Sequence, residues 1–161
     1  MANEMTHIAD DGSVRMVDVS DKPITARLAE AAGRITMNLE TAEMIVGGEV
    51  PKGNVLETAR IAGIMAAKRT SDVIPLCHPI TVTGVDLDLT VVADGVEARC
   101  VVKVDERTGV EMEALTAVSV SLLTVYDMCK AVDKSMVIGE VRLIKKTGGR
   151  SGTYLRAKDT T

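Results

Sequence analysis

An α+β fold, an antiparallel sheet with helices packed on one face, is predicted by three features of the 161-residue chain. The first is a pair of alternating runs. Val85, Leu87, Leu89 and Val91 alternate with Asp86, Asp88 and Thr90; after Asp94-Gly95, Val96, Ala98, Cys100, Val102 and Val104 alternate with Glu97, Arg99 and Lys103. A period of two buries one face of a strand and wets the other, and an Asp-Gly turn between two such runs marks a hairpin. The second is residues 109–134, GVEMEALTAVSVSLLTVYDMCKAVDK, where Leu115, Val118, Leu122, Val125, Cys129 and Val132 recur at spacings of three and four. At about 100° per residue these positions form one stripe on a helix. The third is the order strand, helix, strand, strand, helix, strand, which gives one sheet backed by one helical layer.

Taken in order, residues 1–13 are polar and rich in Asp and Gly, a loose arm. Val14, Met16, Val17 and Val19 then predict a short extended piece ending at Asp21, Lys22 and Pro23. In ITARLAEAAGRITM the alanines favour a helix, but Gly33 interrupts it, and Ala29, Ala31, Gly33, Ile35 and Met37 fall at strand spacing; a strand is preferred. A short helix over 39–46 closes at Gly47 and Gly48. Asn54, with Glu57 three residues on as a capping-box partner, opens a second helix through Ile61, Ile64, Met65 and Lys68, ending before Pro75. SMVIGEVRLI reads as the last strand. Residues 145–161, which begin KKTGGRSGTY, form a basic, Gly-rich tail of a single 1–161 catalytic domain, either a solvated terminus or a glycine-lined anion site.

Composition narrows the function classes. The net charge is −4, there is no Trp or Phe, and only Tyr126 and Tyr154 are aromatic, so the core is built from aliphatic residues and nine Met. Stacking platforms and general phosphate attraction are both missing, and no nucleic-acid partner is expected. The N-terminus carries Glu4, His7, Asp10 and Asp11 with no apolar run behind a basic start, which predicts neither a signal peptide nor a membrane span. Cys77, Cys100 and Cys129 are odd in number and far apart, which suits reduced thiols in a cytoplasm. With only His7 and His78 besides, no metal site is expected.

The chemistry-bearing positions cluster on the long helix and its surroundings. Asp127 and Lys130, three apart, share the face opposite the apolar stripe. At that spacing the simplest account is a surface pair contributing roughly 0.2 to 0.5 kcal/mol. The alternative is a working acid and base, because Thr116, Ser119 and Leu123 leave that face little polar surface, and covered charges have a partner or a function. A Lys130 buried near another cation would have a lowered pKa. Pro75 and Pro79 stiffen the backbone around Leu76, Cys77 and His78, where the histidine is either structural or catalytic. Lys52 and Lys68 flank the second helix, and a cation in a last turn is also an ordinary dipole partner.

The blocks PKGNVLETARIAGIMAAKRTSD, IPLCHPI, TGVEMEALTAVSVSLLTVYDMCKAVDKSM and KKTGGRSG, in that order, closely resemble the cyclic pyranopterin monophosphate synthases of molybdenum cofactor biosynthesis. The resemblance runs from about residue 6 to residue 154. It implies a ferredoxin-like fold and a homohexamer, a trimer of dimers with active sites at dimer interfaces. The reaction it implies converts a purine-derived triphosphate, a cyclised dihydro-GTP, into a tricyclic pyranopterin with a cyclic phosphate, releasing diphosphate. By position, Asp127 matches the catalytic aspartate and Lys130 its companion, while Leu76, Cys77, His78, Met112 and Glu113 match substrate-binding segments. Lys52, Lys68, Glu111, Lys146 and Arg27 fall on the charged pocket, Arg27 in surroundings less arginine-rich than the family's. No cofactor is indicated, and a divalent ion accompanying the triphosphate is left open. Two other classes compete: a regulatory module that only holds a metabolite, and an interaction protein that only oligomerises. Neither needs an Asp127–Lys130 face beside a proline-held His78.

Overall fold

The computed structural model describes Ile8 and residues 11–157. Residues 1–7, 9 and 10 of the expected arm, His7 among them, and residues 158–161 of the tail lie outside the described residues. The Ala-rich stretch is a strand, β1 (Thr25–Thr36). After it come α1 (Leu39–Gly47), α2 (Val55–Ala67), α3 (Thr70–Val73), β2 (Gly84–Val92), β3 (Gly95–Glu106), α4 (Glu111–Cys129), β4 (Val137–Thr147) and β5 (Tyr154–Leu155). The sheet order is β2-β3-β1-β4-β5 with every pair antiparallel, and β4-β1-β3-β2 is the ferredoxin-like arrangement.

Packing explains why β1 overrides the helix propensity of its alanines. Ala29, Ala31 and Ile35 are fully buried on the helical side of the sheet. A Cβ on Gly33 would come within 2.7 Å of Val118 Cγ1 and 3.1 Å of Leu122 Cδ1, so α4 lies against β1 at a distance that only small residues allow. α2 covers the other flank of α4 in the same way: a Cβ on Gly63 would meet Leu87 Cδ2 at 2.4 Å and the Ala117 carbonyl at 2.8 Å. Val118, Leu122, Val125 and Cys129 are fully buried. α4 is long and apolar enough to cross a membrane by length and composition, but half of that window is buried between the sheet and α2, which accounts for its apolarity.

Several boundaries differ from expectation. The apolar stripe ends with the helix at Cys129; Val132 lies beyond it and is exposed. Residues 14–19 form no strand beyond an isolated bridge between Ile8 and Val14, and run instead as an irregular strap. α2 stops at Ala67 with Lys68 as its C-cap, and the chain resumes as the separate short α3. Asn54 caps α2 as expected, accepting the Glu57 N–H at 3.1 Å, but the Glu57 carboxylate pairs with Arg60 instead of returning to the cap. In the hairpin, Val92 pairs with Gly95, so the two turn residues are Ala93 and Asp94. Gly95 is required for another reason: a Cβ there would sit 2.0 Å from the Ile35 carbonyl of β1. The start of the tail is not loose. Lys145 and Lys146 belong to β4 and pair with β5 after a turn through Gly148 and Gly149, both at positive φ.

α1 carries no cap from Asn38. Asp133, 3% exposed, supplies one from across the chain by accepting the Asn38 N–H at 2.9 Å, along with the Thr41 hydroxyl and the Ser135 N–H and hydroxyl. The Asn38 N–H and the Ser135 hydroxyl hold its carboxyl below the usual range, and the turn after α4 is thereby fastened to the start of α1.

Candidate active site

The anticipated residues form two separate groups, one at each end of α4. At the C-terminal end, Asp127 stands between two lysines. Lys52 Nζ donates to Asp127 Oδ2 and to the Asp127 carbonyl, both at 2.8 Å, and Lys130 Nζ donates to Oδ1 at 2.6 Å. Local structure fixes Lys52: Gly48 ends α1 in the left-handed region, Val50 is buried, and Gly53, also left-handed, closes a turn onto the Val50 carbonyl before Asn54 opens α2. Placing two cations at the last turn of α4 also suits its dipole. The hydrogen bonds from Lys130 and then Lys52 bring the Asp127 carboxyl down to about 2. Conversely, the Asp127 carboxylate raises the Lys130 ammonium.

This corrects one expectation, the lowered Lys130 pKa, and bears on a second, the covering of this helix face, which concerns the assembled protein. A lowered Lys130 pKa required a buried lysine beside a cation; within one chain its close partner is an anion and its side chain is 52% exposed. The Asp127 side chain is 55% exposed, so the helix face that carries the pair is open in the single chain.

The second group surrounds the N-terminal end of α4. A cavity of about 410 Å³ is lined by Leu76, Cys77 and His78 from the proline-bracketed loop and by Glu111, Met112 and Glu113 from the first turn of α4. Sequence reasoning missed its remaining wall, made of Val17 and Val19 from the strap and Lys22 just after it, with Thr108 and Gly109. His78 Nε2 lies 2.7 Å from the Val17 carbonyl. Because a carbonyl only accepts, Nε2 carries the proton and, in the neutral ring, Nδ1 is left as an acceptor. A backbone carbonyl leaves no mark in a sequence pattern, which is why the strap was not anticipated.

Glu113 is 3% exposed, and burial pushes its carboxyl up to about 7; nearby Glu111 adds to this and its own backbone N–H offsets only part. Burial, and secondarily Glu113, raises the Cys77 thiol. A carboxyl that titrates near neutrality in a cavity can both donate and accept a proton at working pH.

Three anticipated residues belong to neither group's first contacts. α2 runs antiparallel to α4, as the Lys52–Asp127 and Gly63–Ala117 approaches show, so Lys68 stands toward the Glu113 end, but it does not line the cavity. Arg27 donates from Nε to the Glu106 carbonyl at 2.9 Å and from Nη2 to the Arg107 carbonyl at 3.0 Å, bracing the loop behind the cavity. Lys146 Nζ bonds Ser151 Oγ, and the turn at Gly149 lies directly on the Arg27 guanidinium. Among the described residues no group of three His, Cys, Asp or Glu is placed to hold a metal. All three cysteines are free.

Comparison with known proteins gives one consistent result. The model of the MoaC family matches residues 16–149. A protein of Desulfitobacterium hafniense is 56% identical over 154 residues, covering 95% of this chain and 94% of its own length, and one of Streptomyces griseus is 59% identical, covering 96% and 87%. A third, from Novosphingobium aromaticivorans, is 56% identical over 97% of this chain and 99% of its own. All three relatives are named cyclic pyranopterin monophosphate synthase.

Proposed function

The chain belongs to the MoaC family, and we propose that it acts as a cyclic pyranopterin monophosphate synthase, a lyase that turns a cyclised dihydro-GTP into the tricyclic pyranopterin and releases diphosphate. The observation that carries the assignment on the structural side is the Lys52–Asp127–Lys130 constellation, a carboxylate with one lysine on each oxygen.

Rearranging a purine-derived ring moves protons among ring nitrogens, an opened carbon and sugar hydroxyls, which calls for a positioned acid and base. We assign Lys130 as the acid, charged at rest, and Asp127 as the carboxylate that orients its ammonium and, once that proton has gone to the substrate, keeps Lys52 as its cationic partner. Closing the cyclic phosphate requires a sugar oxygen to attack the inner phosphorus as diphosphate departs, and negative charge builds on the phosphate oxygens. Lys52, Lys68 and Lys146 are the cations assigned to it. Glu111 and Glu113, with Leu76, Cys77, His78 and Met112, are assigned to the guanine-derived ring, whose donor edge carboxyl groups match. Arg27 acts by bracing the cavity wall. The site is assigned no resident metal on the chemistry of its donors; a divalent ion would enter with the triphosphate.

Distance within α4 supports a site shared between subunits. Glu113 and Asp127 are 14 residues apart on one straight element, about 21 Å at 1.5 Å per residue, and no reacting centre can be within hydrogen-bond reach of both on one chain. We therefore place each active site between two subunits, the cavity from one and the lysine pair from the other, in a homohexamer built as a trimer of dimers. That arrangement covers the exposed Asp127–Lys130 face. Free thiols and a nucleotide-derived substrate support a cytoplasmic location.

The test is direct: incubate the chain with the cyclised nucleotide and follow diphosphate and tricyclic product. Catalytic release is expected; stoichiometric binding without release would assign a metabolite-binding module, and no binding a structural protein.

A further inference from the structure

We infer that Asp133 is a positioning residue for the Lys52–Asp127–Lys130 constellation, a buried carboxylate that clamps the start of α1 to the turn after α4 and so sets where the two lysines stand. The inference rests on the synthase assignment for its effect on turnover and on the contacts of Asp133 for its geometry. Asn38 occupies the N-cap of α1 and is a residue type that caps well, yet its side chain makes no cap hydrogen bond. The cap comes instead from a position 95 residues away: Asp133 Oδ2 accepts the Asn38 N–H at 2.9 Å and the Thr41 hydroxyl at 3.4 Å. A cap taken from a distant segment joins two elements, which a local cap does not.

The two elements it joins carry the two lysines. On the α4 side, the Val132 and Asp133 N–H groups close onto the Cys129 carbonyl at 2.9 and 3.0 Å, and Asp133 Oδ1 accepts the Ser135 N–H at 2.8 Å and its hydroxyl at 2.7 Å. The turn that begins at Lys130 is thus fixed around this carboxylate. On the other side, α1 runs from its N-cap Asn38 to its C-cap Gly48 and delivers the turn between Val50 and Gly53 that holds Lys52. α1 packs little on α4 itself, which leaves the Asp133 carboxylate as the tie at this end. The buried Cys129 thiol is raised by burial and then by Asp133 and is lowered by Lys52, so both charges lie around it. Asp133 is itself buried, so it acts through the lysines and not on the substrate.

The experiment uses the full-length chain and two variants. Asp133→Asn keeps the shape but accepts hydrogen bonds on one side only; Asn38→Pro deletes the one N–H and keeps the Asn38 φ of −65°, which proline adopts. KM and kcat are read from diphosphate release, and the state of Asp127 from the 13C shift of its carboxyl, assigned by its loss in Asp127→Asn. Asp133→Asn is expected to lower kcat about tenfold to a hundredfold with KM within about threefold, as displacement of a catalytic group requires. The Asp127 carboxyl, held at about 2 in the wild type and therefore flat between about pH 6 and 4, should begin to titrate in that interval as the lysine bonds loosen. Loss of a neighbouring anion alone would shift Asp127 the other way, further down. Asn38→Pro should change both readouts in the same direction by a smaller factor. A folded Asp133→Asn with unchanged kcat or with Asp127 still flat over that interval would overturn the inference, as would a folded Asn38→Pro with both readouts at wild-type values. If Asp133→Asn does not fold, Asn38→Pro decides; if neither folds, Asp133 is structural and the inference falls. If the wild-type chain releases no diphosphate, the synthase assignment fails by itself, and the Asp127 titration still decides whether Asp133 positions the pair.

Discussion

Glu113 and Asp127 are carboxylates on the same helix, and the fold treats them in opposite ways. Glu113 is sealed into a cavity wall where burial raises its carboxyl to about 7; Asp127 stands at the surface where two ammonium groups lower its carboxyl to about 2. Linkage gives them opposite signs. For Asp127, with its folded value depressed, the stabilising contribution is present above its ordinary value and is lost as pH falls through the folded value. Glu113 costs stability as pH rises from its ordinary carboxylate value toward its raised one, because the folded chain then holds a proton the unfolded chain has released. The pairing of a neutralisable acid with a permanently ionised one separates a group able to exchange protons with the substrate from a group that organises cations.

Removing the cationic partner at the exposed end gives the largest expected effect. Lys130→Ala should leave folding and assembly intact and lower diphosphate release by about a hundredfold to ten-thousandfold, the range for loss of a positioned acid; near-normal turnover would return the pair to the weak surface interaction the spacing allows. Next is the body that keeps the two ends apart. Gly63→Ala forces a methyl group against the Ala117 carbonyl and Leu87, and should cost about 2 kcal/mol in urea unfolding. The buried end is probed through pH: Glu113→Gln should remove a loss of up to about 3 kcal/mol that the wild type shows between about pH 4.5 and 7. A wild-type stability curve flat over that interval would contradict the account of its burial. The smallest effect concerns the anchoring of Lys52. Asn54→Ala removes the cap of α2 and should cost about 1 kcal/mol in the same assay with little change in turnover.

The layers of the fold are legible because each rests on a period: the β2–β3 hairpin and the α4 stripe come from alternation and three-four spacing. What misleads are features set by contacts distant in sequence. Gly95 looks like a turn residue, whereas its lack of a Cβ accommodates β1; Val132 extends a stripe that the helix has already left. The basic tail looks loose because two-residue pairing with β5 is too short to show a pattern. Among site residues, the approach of Lys52 to Asp127 joins positions 75 apart and can be anticipated only through family blocks. The strap over His78 acts through a carbonyl that any residue type would supply. The division of the site between two ends of α4 is a matter of helix length, plain once the helix is drawn to scale.

That division is tested most directly by mixing two inactive chains, Glu113→Ala and Lys130→Ala, by co-expression and measuring diphosphate release. If each site joins the cavity of one subunit to the lysine pair of another, half of the randomly formed dimers are mixed, and one of their two sites is intact, so activity should recover to about a quarter of wild type. Activity no higher than that of either variant alone would show that the two groups do not meet across an interface, and the shared-site account would fall.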